Sequence, residues 1–322
     1  MDRSEDMGLG VPSEFCKDSL EKLYTFYNCR EFIHPDPLEF VLQYDDPLDR
    51  EVVGMVASSL AYGRVRQILK SVSQVLSRMG ESPSRFILEG SLGGIQKVFG
   101  DFRHRFTDGS QLAALLYGMK RLINRYGSLE SCFCGYGKCK EVNVLPALTA
   151  FVDELNTEAA DDMRMLVPSP RAGSACKRLN LFLRWMVRSD DVDPGGWRGV
   201  GADQLIVPLD THMHRIGLQG GLTRRKQADM RTALEMTHAF REIAPEDPVR
   251  YDFALTRLGI RGMREAHTRG SQTSPPSMGG VNVAELGTKK LPSLDGRGRG
   301  RVETSGIQHP HPTSPIEGEV YE

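Results

Sequence analysis

Residues 205–217, "LIVPLDTHMHRIG", set one carboxylate, two histidines and an arginine directly behind an apolar run. How this stretch folds decides what the chain can be. As a strand, its two-residue period puts His212 and His214 on the same side as Asp210, an arrangement able to ligate a metal ion. As a helix starting at Thr211, it makes Asp210 the N-cap, with its carboxylate accepting backbone N–H bonds from the first turn, and it sends His212 and His214 in different directions. The run Leu205–Val207 is long enough for a short strand, but Pro208 argues for an extended entry into a helix.

The flanking chain favours the helix. Between residues 49 and 79 the pattern is helical with a punctuation at Gly63, and Val65, Ile68, Leu69, Val72, Val75 and Leu76 recur at three and four. "GSQLAALLYGMKRLINRYGSL" begins after the turn-like "TDGS" and stops near Gly127. In "SACKRLNLFLRWMVR" a stripe of Leu179, Phe182, Leu183 and Met186 is predicted to be buried. "LTRRKQADMRTALEMTHAFREI" and "PEDPVRYDFALTRLGI" predict two further helices, the last with Asp247 as N-cap ahead of Pro248. Period-two alternation is nearly absent. The expectation is an all-α domain over residues 14–264, preceded by a disordered N-terminus, 1–13. From 265 to 322 Gly, Pro and Ser dominate, with too few apolar side chains to offset the entropy of ordering, so this segment is expected to be a disordered tail in which His309 and His311 bind nothing.

With 41 basic against 42 acidic residues among 322, the global charge announces no polyanionic partner, and local clustering must carry that question. Arg64, Arg66, Lys70 and Arg78 share the polar side of one helical stretch with no acidic residue from 64 to 78, and Lys177, Arg178, Arg184 and Arg188 give another helix a basic side. No stretch has the length of a membrane span, and "MDRSEDMGLG" lacks the basic-then-apolar order of a secretory signal. The expectation is a cytoplasmic monomer with no membrane partner. The six cysteines lack the density of a disulfide scaffold. Cys132, Cys134 and Cys139 in "CFCGYGKC" offer three thiolates for zinc but no fourth ligand at conventional spacing, so neither metal nor cofactor is expected.

The run Asp210-x-His212-x-His214 resembles the signature of metal-dependent amidohydrolases. Their barrel needs about 250 residues of alternating strands and helices. Asp210 instead stands well past the middle of the chain, with much of the remainder read as tail. A second resemblance fits the helical pattern. Asp210-Thr211-His212 with Arg215 resembles the Asp-Thr-His-x-x-Arg signature of helix-hairpin-helix DNA glycosylases, in which the aspartate is the catalytic carboxylate. "VASSLAYGRVRQILKSVSQVL" is similar to the early helix pair of that superfamily, and "YDFALTRLGI" to the helix that closes its core. Taken whole, residues 18–262 are identified as a member of an uncharacterised bacterial family, catalogued as a domain of unknown function, on "YDDPLDREVVG", "SLAYGRV", "KRLNLFLRWMVR", "DDVDPGGW" and "VPLDTHMHRI".

The glycosylase resemblance implies a two-lobed helical core, a role in DNA repair, and a catalytic lysine on the helix before the aspartate. Lys177 occupies that place, at a separation from Asp210 similar to that in archaeal oxidised-guanine glycosylases. Three features depart from the pattern: the hairpin's Gly-x-Gly is reduced to "RAGSACK", Ala61 or Tyr62 stands at the usual intercalating glutamine, and no four-cysteine cluster motif follows Ile260. In the implied reaction Asp210 stabilises positive charge developing on the sugar, and Lys177 attacks once unprotonated, a state that the positive end of its helix and the neighbouring Arg178 both favour. Tyr62, Trp185, His212 and His214 are the candidates for holding an extruded base. Arg64, Arg66, Lys70, Arg178, Arg184 and Arg215 are the candidates for contacting DNA. The alternatives are a nucleic-acid-binding protein that kept the fold without the chemistry, and the metal hydrolase built on Asp210, His212 and His214.

Overall fold

The computed structural model describes residues 15–136, 142–157 and 163–259, all within one compact unit. The segments 1–13 and 265–322 and the residue Cys139, about which the sequence raised expectations, lie outside the described residues.

The described chain is mostly helical. Helix α1, Lys17–Tyr27, buries Leu20, Leu23 and Tyr27, and a turn that includes the 3-10 helix Arg30–Phe32 and two prolines leads to the short α2, Leu38–Val41. Helix α3, Pro47–Ser59, is started by Asp46, whose side chain accepts from Asp49 N–H, with Pro47 in the first turn where no N–H is needed. Val52, Val53, Met55, Val56 and Ala57 are all wholly buried, so α3 runs through the core rather than lying on it. Helix α4, Val65–Met79, is amphipathic as predicted, burying Ile68, Val72, Val75 and Leu76 while Arg64, Arg66 and Lys70 face solvent. The break between α3 and α4 is the predicted one: Gly63 has φ +100°, a region that side-chain-bearing residues enter only with strain.

Serine N-caps open α5, Pro83–Glu89, and α6, Leu92–Phe99. A two-stranded hairpin follows, β1 Arg103–His104 pairing antiparallel with β2 Thr107–Asp108. The sequence carried no sign of it, because strands of two residues have no period to detect. Asp108 then caps α7, Gly109–Tyr126, in a reciprocal capping box with Gln111, and α7 ends before Gly127. Helices α8, Leu129–Tyr136, and α9, Leu145–Asn156, follow. Helix α10 is Lys177–Val187, α11 is Thr211–Gln219, and α12 is Met230–Ile243, capped by Asp229. Residues 252–259 form α13.

One cap is misplaced in the sequence reading. Asp247 does not start a helix at Pro248: residues 248–251 are turn, α13 begins at 252, and both Asp247 carboxylate oxygens accept from Arg188 Nε at 3.1 and 2.9 Å. A buried guanidinium nearby outcompetes the local N–H groups for that carboxylate.

Helix α10 packs against α3, approaching so closely at Gly54 that a Cβ there would lie 2.9 Å from Met186 Cε. Its polar side is not solvated. Arg184 and Arg188 are each only 4 % exposed and are held by Asp193, Asp252, Asp190 and Asp247. Glu51 on α3, also buried, accepts from the N–H groups of Leu129 and Glu130 at the start of α8 and from Trp197 Nε1 at 2.8 Å. These contacts fix the loop between α10 and α11, and with it the start of α11. Among the described residues no helix is long and apolar enough to cross a membrane.

Candidate active site

Leu205–Leu209 run extended and buried into Asp210, and Val207 N–H donates to Thr237 Oγ1 on α12. The chain then turns into α11, and Asp210 Oδ1 accepts from the N–H groups of His212 and Met213 at 2.9 and 2.8 Å. The cap uses one carboxylate oxygen. The other, Oδ2, lies 3.0 Å from Lys177 Nζ, the first residue of α10. Two helix N-termini thus converge, one holding a cation and the other an anion. The positive end of a helix opposes the ammonium and favours the carboxylate, so the contact with Asp210 offsets the unfavourable placement of Lys177. Burial pushes the Asp210 carboxyl up, but the Lys177 charge, the Met213 N–H and the hydrogen bond from Lys177 outweigh it and hold the group below its usual range.

Cys176, immediately before Lys177, has φ +47° and ψ +38°, the left-handed conformation that L-residues adopt at a cost of about 1–3 kcal/mol. Its buried thiol is directed at the Pro168 carbonyl, 3.5 Å away, and burial pushes the thiol up to about 11, which keeps it neutral. The kink sets the direction in which α10 leaves and so where Lys177 stands.

Lys177 and Asp210 both line a cavity of about 580 Å³. Its other walls come from the turn before α2, the α3–α4 break, the first turn of α11 and α13. Glu31, His34 and Asp36 contribute from the turn, Ala61, Tyr62 and Gly63 from the break, and Thr256 and Arg257 from α13. Asp36 is committed to structure, accepting from Leu38 N–H and pairing with Arg257 Nη2. Tyr62 is fixed by its hydroxyl, which contacts the His104 carbonyl at 2.8 Å and Thr107 Oγ1 at 2.7 Å, and its ring lies 4.9 Å from the Arg178 guanidinium. A second, more open hollow of about 510 Å³ adjoins the first through Ala61, Tyr62 and Lys177 and is floored by residues 172–176, the loop carrying Gly173.

The structure brings Lys177, Asp210, Tyr62 and His212 to one cavity and separates the rest. Trp185 is wholly buried in the core and does not line this cavity. His214 points away from the cavity, its Nε2–H donating to the Arg225 carbonyl at 2.8 Å. Arg184, expected to contact DNA, is locked in the ion-pair network. Arg178 is half-buried and donates to the Ser59 carbonyl at 2.8 Å, so it acts inward rather than toward a phosphate. Arg64, Arg66, Lys70 and Arg215 are exposed, whereas Arg78 is taken by Asp101 at 2.6 Å.

The strand that the amidohydrolase arrangement requires is a helix here, which separates His212 from His214. Among the described residues no three His, Cys, Asp or Glu side chains gather as a metal site. Cys132 is buried, and burial pushes its thiol up to about 12.

Glu31, His34, Asp36 and Arg257 were missed. The run "REFIHPDP" carried a signal, since it crowds charged and ring-bearing residues between prolines just before a helix. Arg257 carried none, because a helix pattern does not say which polar residue faces inward.

A family model described as "Protein of unknown function (DUF2400)" matches residues 36–261, well over half of the chain. The chain belongs to this family. Lys177, Asp210, Tyr62, His212 and Arg257 all fall within the matched span, whereas Glu31 and His34 on the cavity's outer wall precede it. No curated protein and no solved structure matches the chain.

Proposed function

We propose that this DUF2400 chain excises a base from DNA, acting as a glycosylase with associated lyase chemistry on a damaged, oxidised or deaminated base. The observation that carries the reading is the 3.0 Å approach of Lys177 Nζ to Asp210 Oδ2 at the wall of one cavity, by two side chains far apart in the sequence. A volume of about 580 Å³ suits an extruded nucleotide better than a metal ion or a flat protein contact.

In this reading the base leaves with the electron pair of the N-glycosidic bond while positive charge grows at the sugar. Asp210 stabilises that charge, and its helix-cap hydrogen bonds keep it ionised and oriented for the purpose. The Lys177 ammonium gives a proton to the departing base, and its amine forms the C1′–N bond; breaking of C1′–O4′, with O4′ taking a proton, then leaves a Schiff base with the opened sugar. Tyr62 and His212 flank the base. The exposed Arg64, Arg66 and Lys70 contact phosphates, a sequence-independent and salt-sensitive contribution. The loop 172–176 stands for a remodelled hairpin before the catalytic lysine, in keeping with a two-lobed helix-hairpin-helix core.

Incubation with duplexes bearing oxidised or deaminated bases in the presence of borohydride is expected to trap a covalent adduct. Lys177→Ala abolishes the adduct, and Asp210→Asn lowers excision on the order of 100-fold or more while DNA binding persists. No adduct and no strand cleavage across a broad lesion panel, with salt-dependent binding retained, would instead mark a nucleic-acid-binding protein without the chemistry.

A further inference from the structure

We propose that the tip of the β1–β2 hairpin is a wedge, with Phe106 inserting between base pairs of a DNA duplex at the rim of the cavity. The proposal rests on the reading above for what the cavity accepts, and adds a residue and a contact that the reading does not contain.

Phe106 is 69 % exposed, the most exposed aromatic among the described residues' large apolar side chains. Solitary exposed apolar residues are ordinary on protein surfaces. This one differs in its mounting. It occupies a two-residue turn closed by the His104–Thr107 pair. Below the turn, His104 is wholly buried, with Nδ1 2.8 Å from Ser71 Oγ on α4 and Nε2–H donating to the Tyr62 carbonyl. Tyr62 closes the clamp with its hydroxyl on the His104 carbonyl and Thr107. Tyr62 is also a wall of the cavity, so the hairpin and the cavity share a rigid support.

Arg105, the other tip residue, has φ +54°, packs its side chain over Gly63 at the cavity wall, and places its guanidinium carbon 5.5 Å from the Phe106 ring centre. Arg103, on the strand leading into the tip, is largely exposed beside Asp108, and Arg64 is exposed at the head of α4. A bare phenyl ring with a guanidinium beside it and exposed arginines on the adjoining β1 and α4 is poorly suited to an apolar protein interface. It matches a base stack flanked by phosphates, where an apolar wedge fills the space left when a nucleotide is drawn out.

The test uses the full chain with two duplexes, one intact and one carrying a tetrahydrofuran abasic site. In Phe106→Trp, the new indole is expected to be quenched on the abasic duplex, over a constant background from the buried Trp185 and Trp197. Phe106→Ala is expected to lose about tenfold or more of the preference for the abasic duplex, as for loss of one aromatic–base stack, with the salt dependence unchanged. Equal preference in Phe106→Ala and wild type, absence of quenching in Phe106→Trp, or failure of the wild-type chain to bind either duplex each overturns the wedge. Borohydride trapping on lesion-bearing duplexes reads the catalytic proposal separately: quenching without an adduct leaves the wedge standing and removes the excision chemistry.

Discussion

Asp210 serves two masters with its two oxygens, and that division is the basis of its chemistry. Oδ1 starts a helix, and Oδ2 meets Lys177. Its carboxyl is held below the usual 3.8 although burial pushes the other way. A carboxyl whose folded value lies below its unfolded value adds stability at pH above the ordinary carboxylate range, and the gain is lost as pH falls through the folded value. In Lys177→Ala the largest counterweight to burial is gone, so the Asp210 midpoint is expected to rise and acid unfolding to begin at higher pH. Titration of the Asp210 carboxyl carbon by NMR reads this directly, and an unmoved midpoint would assign the low value to the helix cap alone. The cap itself was legible in the sequence from Asp-Thr-His behind Pro208. The resemblance named Lys177 with Asp210 as a pair, but no local pattern said that Lys177 would meet the free oxygen, because it lies a full helix and a long loop away. The same limit explains Arg184 and Trp185: a helical stripe separates buried from exposed by period, but an arginine on the polar side is buried when carboxylates from other segments, here Asp193 and Asp252, arrive to meet it.

At the scale of elements, two breaks in regular structure meet beside the cavity wall. The α3–α4 break at Gly63 and the β1–β2 turn at Arg105 lie against each other, since a Cβ on Gly63 would meet Arg105 Nη1 at 2.7 Å and Cδ at 2.8 Å. Gly63→Ala is therefore expected to destabilise the chain by about 1 kcal/mol or more, combining the positive φ with displacement of the arginine. Urea unfolding measures it, and a loss within error of zero would mean that the hairpin tip yields freely. The helices here were readable from period and caps, as with α7 between Asp108 and Gly127. The hairpin was not: its two-residue strands hold together through His104, Ser71 and Tyr62, which are contacts of tertiary structure.

At the scale of the whole molecule, the strings that mark the family are largely scaffold. "YDDPLDREVVG", "KRLNLFLRWMVR" and "DDVDPGGW" meet where Glu51 receives Trp197 and the start of α8, and where Arg184 and Arg188 are held by Asp190, Asp193, Asp247 and Asp252. Removing one side of such a network leaves the other charges buried without a partner. Arg184→Met is expected to cost about 3–5 kcal/mol of stability in chemical denaturation, even though Arg184 does not line the 580 Å³ cavity. A cost below about 1 kcal/mol would show that the aspartates find other partners. Taken by itself, the sequence determined the mostly helical character, the positions of most helices and the cap at Asp210, because period, capping and proline placement act over a few neighbouring residues. Only the tertiary structure decided that Lys177 faces Asp210, that Glu31, His34 and Arg257 line the 580 Å³ cavity with them, and that Arg184 and His214 do not line it. Those outcomes depend on charges brought together from distant segments, where burial makes each unpaired group costly and so selects its partner.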